Sequence, residues 1–221
     1  MHFHLPKPLH GWRAFAGEVG IIVVGILIAL AAEQAVSSIH ERDDIAQLRG
    51  ALRSELSDDR ARWENIRAQD PCTEKRLDAL SEWVRTAAPN ATLADGYRPF
   101  LWNMHSSAWD LAKTNAAAMH IPLKERLTYA SLYQAIDNWR QFIDEENQNS
   151  EMLAGLLATA DQPENRRQVR LHLVHAQFML RRRRLNYDYF FKRFDELKIK
   201  PDRTQQTVQF DPQRLCSPLA S

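Results

Sequence analysis

From Val19 to Ala32 the chain carries no polar side chain, and this run constrains everything that follows it. Glu18 opens it, and Glu33 with Gln34 closes it. Extended back through Phe15, Ala16 and Gly17, the stretch 15–32 approaches the ~20 residues that a helix needs to cross a ~30 Å hydrocarbon layer. Trp12 and Phe15 stand where interfacial aromatics anchor a span. Three readings compete: a single-pass anchor, a cleaved signal peptide and a buried soluble helix. Ala29-Leu30-Ala31 has the small-x-small form of a cleavage site. Against cleavage, helix-compatible sequence continues past Ala31 without Pro or Gly. The anchor is the expected reading, with the membrane helix over 15–36 after an N-terminal tail over 1–14.

At 100° per residue, Glu18, Gly25, Ala29, Ala32 and Val36 share one narrow face of that helix. Gly25-x-x-x-Ala29 is a small-xxx-small pair, which lets two helices approach closely. A packing face for a second copy or another span is expected there, although Gly and Ala are also simply common in spans. Lys7, Arg13 and the α-amino group before the span nearly balance Arg42 and Arg49 after it. The α-amino charge tips the expectation toward a cytoplasmic N-terminus and a periplasmic extramembrane domain.

The stretch "GEVGIIVVGILIAL" resembles the membrane segment of an uncharacterised bacterial family of short single-span proteins. Gly17, Glu18 and residues 25–30 carry the resemblance. That family often continues with Asn and Trp, where this chain has Ala31, Ala32, Glu33 and Gln34. A looser similarity lies in "AWDLAKTNAAAMHIPLKERLTYASLY", residues 108–133. The resemblance implies an anchor in the bacterial inner membrane and a helical extramembrane domain. It implies no known activity and no catalytic residues.

Beyond the anchor the chain is polar: a quarter of the 221 residues are charged (26%), which excludes a polytopic membrane protein. Scarce Gly and abundant Ala, Leu, Arg, Glu and Gln favour helix. The expected fold is all-α, a single transmembrane helix followed by an antiparallel bundle of about five helices over 37–200, with a C-terminal tail over 201–221. Residues 35–69 read as one long helix with a coiled-coil-like apolar stripe: Ile45, Leu48, Leu52, Leu56, Trp63 and Ile66. Asp70-Pro71 should end it, because Pro disfavours helix in the residue before it. Thr73 should cap a shorter helix to about Ala87, with Leu77, Leu80 and Val84 inward. Residues 89–104 are the least regular stretch, with turn signals at Asp95-Gly96 and Pro99. A helix is expected from Ser107 to about Met119. Another starts at Pro122 and buries Leu123, Leu127, Ala130, Tyr133, Ile136, Trp139 and Ile143. Its pattern fades at "ENQNSE" and resumes over 152–157. Asp161-Gln162-Pro163-Glu164 opens a last helix that should reach about Lys198.

The motif "RRRR", residues 181–184, invites a nucleic-acid reading. Four consecutive helical residues point around nearly the whole circumference, however, and the net charge is only +1. No nucleic-acid partner is expected. In the same helix Leu171, Val174, Phe178 and Leu185 share one face. Tyr187, Phe190, Phe191 and Phe194 share the opposite one, so both need cover. The tail (Val208, Phe210, Leu215) or a partner should dock on the second face.

Cys72 and Cys216 are the only thiols, too few for a four-thiolate metal site. In an oxidising periplasm they would form the one available intramolecular disulfide; in a cytoplasm they would stay unpaired. His172 and His175 have no carboxylate or thiol at ligand spacing, and His105 and His120 have no legible partner. The sequon Asn90-Ala91-Thr92 reads as chance in a bacterial-looking chain. No phosphate loop, paired-cysteine ligand set or nucleophile motif is present. No catalytic, cofactor-binding or metal residues are therefore assigned.

Two function classes follow. One is a non-enzymatic membrane-anchored scaffold, sensor or accessory subunit working through helix–helix contacts, with membrane lipid, a second copy or a membrane-protein partner. The other is a membrane-tethered enzyme or small-ligand binder, with Tyr97, Trp102, His105 and Trp109 walling a pocket. A dry bundle interior favours the first class. Titratable groups clustered in a concave site favour the second.

Overall fold

The computed structural model describes residues 11–93, 96–99, 101–204 and 216–219, apart from the side chains of residues 13 and 14. Among them there are four α-helices and no strands. Helix α1 spans Gly11–Thr86, α2 Ser107–Thr114, α3 Leu123–Ala158 and α4 Pro163–Glu196, with a 3-10 turn at Ala116–His120 between α2 and α3. The chain divides into two units, Met1–Gln47 and Leu48–Ser221.

In the first unit, α1 is long and apolar enough to cross a membrane by length and composition. Its apolar residues Ile21, Ile22, Ile26, Leu27 and Ile28 are all exposed.

The second unit is built on three long helices. Going up α1, Arg53 binds the carbonyls of Leu197 and Lys198. Asp70 then binds Arg183, Ser81 meets Gln177, and the carbonyls of Ala87 and Ala88 receive Arg166. The partner numbers fall as the α1 numbers rise, so α4 runs antiparallel to α1. Contacts to α3 rise instead: Arg49 pairs with Glu125, and Glu55 accepts from Tyr133. Helices α1 and α3 are therefore parallel, and the segment from 87 to 122 must return the full length of the bundle.

That return is made mostly without helix. The N–H of Leu93 donates to the carbonyl of Leu157 at 2.9 Å, high on the bundle. Arg62 reaches the carbonyl of Asn103 halfway down, and Glu55 holds Ser107 and Ala108 below it. Side chains of α1 thus satisfy backbone groups that a helix would have satisfied internally. Gly96 is required in this passage: a Cβ there would lie 2.5 Å from Cδ1 of Leu157.

Four expectations are corrected. Pro71 does not end α1, which runs through it to Thr86. Pro71 and Arg67 are both exposed, so water can serve the carbonyl that Pro leaves without a donor. Thr73 caps nothing; its hydroxyl donates to the carbonyl of Gln69 within the helix. The helix expected from Ser107 to Met119 breaks at Asn115, whose side chain accepts from the N–H of Ala117 and starts the 3-10 turn. With these joins and breaks, the described residues hold four α-helices rather than an anchor plus about five. Finally, Leu123 and Leu127 are exposed, while Tyr129, Leu132 and Phe142 fill the core beside Tyr133, Ile136, Trp139 and Ile143.

The upper core packs Leu77, Leu80 and Val84 of α1 against Leu153 and Leu157 of α3 and Val169, Leu173, Ala176 and Leu180 of α4. Lower down, Trp63 lies 4.1 Å from Trp139 and 4.0 Å from Phe190 between ring centroids. Fully burying side chains of this size stabilises a fold by roughly 1.5–3 kcal/mol each, relative to exposure.

Candidate functional site

Between these two apolar layers lies the feature that sequence reading missed. Arg183 of α4 is fully buried. Its Nε and Nη2 donate to Oδ1 of Asp70 on α1 at 3.1 and 2.6 Å. Its Nη1 donates to Oε1 of Glu146 on α3 at 2.7 Å. The Tyr187 hydroxyl donates to the other Asp70 oxygen at 2.7 Å. One guanidinium therefore joins all three long helices. Burial disfavours its charge, yet Glu146 and Asp70 hold its pKa above the ordinary arginine value. Burial raises Glu146 against the pull of Arg183, and it raises Tyr97 and Tyr187, which stay neutral phenols. Among the described residues, the Tyr97 hydroxyl and Oε2 of Glu146 have no hydrogen-bond partner. Such a layer discriminates against slipped packings, because any shift strands a charge in low dielectric.

The "RRRR" run divides accordingly. Arg183 enters the core, Arg184 pairs with Glu74 of α1 at 3.0 Å, and Arg181 and Arg182 face solvent. No periodicity of apolar residues could have revealed the inward arginine. Its only sequence signal is its place on the Leu180–Tyr187 face.

A second polar cluster sits where α1 holds the return segment. Asp59 is fully buried, and both its oxygens accept from the N–H of His105, at 2.9 and 3.1 Å. Burial raises its pKa well above the usual carboxylate value, reinforced by Glu55 and Asp58 and opposed by the His105 N–H and Arg62. Nδ1 of His105 lies 3.3 Å from Asp58 and 3.6 Å from Asp59. These three are the group of possible metal ligands among the described residues, with ligand atoms within 4.8 Å of one another. Both carboxylates, and Glu55 beside them, also have structural tasks. Asp59 fixes the backbone of His105, Asp58 takes Arg62 at 2.9 Å, and Glu55 caps the first turn of α2. His105, which lacked a legible partner in sequence, finds it across 46 residues of chain.

The remaining candidates fall as follows. Glu18, Gly25, Ala29 and Ala32 are exposed on α1, and Gly25 has open space around it. Cys72 and Cys216 are disulfide-bonded, and Arg76 beside them donates to the carbonyl of Ser217 at 2.7 Å. The face carrying Tyr187, Phe190 and Phe194 is buried by Trp63 and Trp139 of α1 and α3. Phe191 lies beneath Arg60 and Arg67. Val208, Phe210 and Leu215, the expected cover, lie outside the described residues. The opposite face, Leu171, Val174, Phe178 and Leu185, was expected to be covered as well. It is open, with exposures of 61, 62, 50 and 83%.

The imagined aromatic pocket is not assembled. Tyr97 is buried in the upper core, His105 sits at the carboxylates, and Trp109 stacks on Tyr133 at 5.2 Å. Trp109 does line an apolar cleft of about 310 Å³, with Leu52, Ala112, Met119 and Ile121. His172 and His175 hold no shared partner: Nδ1 of His172 meets Oδ1 of Asn149 at 2.7 Å, and His175 faces Glu145.

No family model, curated protein or solved structure matches this chain.

Proposed function

We propose that this chain is a single-span protein of a bacterial inner membrane, its N-terminus cytoplasmic and its bundle periplasmic. In this reading it serves as a scaffold, sensor or accessory subunit through helix–helix contacts. The observation that carries the proposal is the contrast along α1. Residues 48–86 bury their apolar side chains in a filled core, whereas the apolar residues of 15–32 are exposed throughout. Exposed apolar surface on that scale is stable only in lipid or against another apolar surface. The Gly25/Ala29/Ala32 face offers close approach to a second copy or another span. The Cys72–Cys216 bond supports an oxidising compartment for the bundle. The buried titratable layer supports a structural role, since Arg183, Asp70 and Glu146 are buried and pair with one another across the three long helices.

The test is the self-association of the full chain in detergent micelles, by sedimentation, with Gly25→Leu as the comparison. A dimer that Gly25→Leu dissociates supports the reading. A wild-type monomer removes its homo-oligomeric form. Protease added to spheroplasts decides the orientation: the bundle should be cut only from the outside.

The apolar cleft beside Trp109 favours a second reading, a membrane-tethered binder of a small apolar ligand. Filling it with Ala112→Phe should abolish binding of an apolar fluorescent probe if that reading holds.

A further inference from the structure

The outer face of α4 combines two properties that the rest of the bundle surface does not explain. Between positions 167 and 192 its exposed residues include Leu171, Val174, Phe178, Leu185 and Tyr189. Over that stretch the same face carries five cations, Arg167, Arg170, Arg181, Arg182 and Lys192, against one acid, Asp188, with Glu164 and Glu196 at the two ends of the helix. At 100° per residue all of these fall within an arc of about 120°. The chain as a whole is only +1, so positive charge is concentrated here. Among the described residues no acidic side chain pairs with Arg167, Arg170, Arg181 or Lys192, and Arg182 rests over the Phe142 ring. By contrast Arg184, one position outside the arc, is engaged by Glu74.

We propose that this face of α4 docks on an anionic lipid surface, its apolar strip entering the headgroup boundary and its arginines meeting lipid phosphates. Helices with an apolar strip and a basic polar margin bind membranes in this way. Charge chooses the occupant. A second copy would bring the same cations against each other, and like charges in apposition oppose that pairing. Leu171, Val174, Phe178 and Leu185 run as an exposed apolar ridge along one side of the helix. A fluid interface accepts such a ridge without a matching shape. The inference concerns the bundle surface and does not depend on the scaffold reading.

The experiment uses the full chain, with Cys72 and Cys216 oxidised, and a spin label at Phe178→Cys. It is incorporated into vesicles of phosphatidylcholine alone, or with about a third phosphatidylglycerol. The expected result is that the label becomes accessible to oxygen and shielded from a water-soluble nickel chelate in anionic vesicles only. The shielding should be lost in Arg181→Glu/Arg182→Glu, and lost at about 1 M salt, where the screening length falls to about 3 Å. A label at Gln148→Cys, exposed on α3, should stay water-accessible throughout. Equal water access at position 178 in both vesicle types overturns the proposal. Shielding that persists in neutral vesicles, the signature of a protein partner or a second copy, overturns it as well. Carbonate extraction of the same vesicles reports on the span separately. A chain that is stripped from them yet shows lipid-dependent shielding before extraction keeps this inference and loses the anchor.

Discussion

At the scale of single residues, the bundle depends on groups that look misplaced in sequence. Arg183 is the clearest. Its removal leaves Asp70 and Glu146 buried without a cation, a change that costs about 3–5 kcal/mol in comparable sites. Arg183→Met should lower stability by that order in a thermal or denaturant melt followed by circular dichroism. Adding Asp70→Asn and Glu146→Gln should recover part of the loss, because the stranded charges are then gone. Asp59 gives a pH signature. Its folded pKa is raised by burial above the ordinary 3.8. A group raised on folding contributes stability that is complete below its unfolded pKa and is lost as pH rises through the folded one. Ionised Asp59 is therefore a cost near neutral pH. Asp59→Asn keeps an acceptor for the His105 N–H and removes the charge. Its melting temperature relative to wild type should rise between about pH 4 and pH 8. A flat difference across that range would show that folding does not raise the Asp59 pKa.

At the scale of elements, α1 is decided against its own local signals. Pro71 removes one intrahelical donor, and an interior Pro costs a helix about 3 kcal/mol or more. The helix continues because the residues around that point are held from outside. Asp70 binds Arg183 and Tyr187, and Arg76 binds the carbonyl of Ser217. Such anchors outweigh a propensity of a few kcal/mol. Pro71→Ala should therefore leave the fold unchanged and raise the melting temperature, to be read by calorimetry; a fall would mean that the Pro geometry itself is needed there. The return segment, residues 87–122, shows the opposite case. Its irregular sequence was legible, but not that it would run back along α1. Its path is set by Glu55, Asp59 and Arg62, which lie on another element.

At the scale of the whole molecule, the disulfide ties residues 216–219 to α1 across 144 positions. In the chain-entropy model a bridge closing a loop that long stabilises by up to about 5 kcal/mol, and real bridges often give less. Cys72→Ser with Cys216→Ser should lower the melting temperature and leave the helical spectrum intact, since the three-helix core and its Arg183 layer do not involve the bridge. Reductant should reproduce the double variant in wild type and change nothing further in the variant itself.

The helical class, the apolar run of α1, most of the buried stripe from Leu48 to Ile66 and the start of α4 at Pro163 are legible from the residues alone. Each is written in periodicity or turn chemistry, which acts over a few residues. Long-range packing settles that α1 passes through Pro71, that Arg183 points inward while Arg181 and Arg182 point out, and that His105 meets Asp58 and Asp59. It also decided which apolar face of α4 is covered. Sequence showed two such faces, and Trp63 and Trp139 bury one of them while the other stays open. A helix carries no local record of which of two apolar faces its neighbours will occupy. That choice depends on the volume and charge of side chains a hundred positions away, and here one arginine shared between Asp70 and Glu146 lies on the covered side of α4 beside Leu180 and Tyr187.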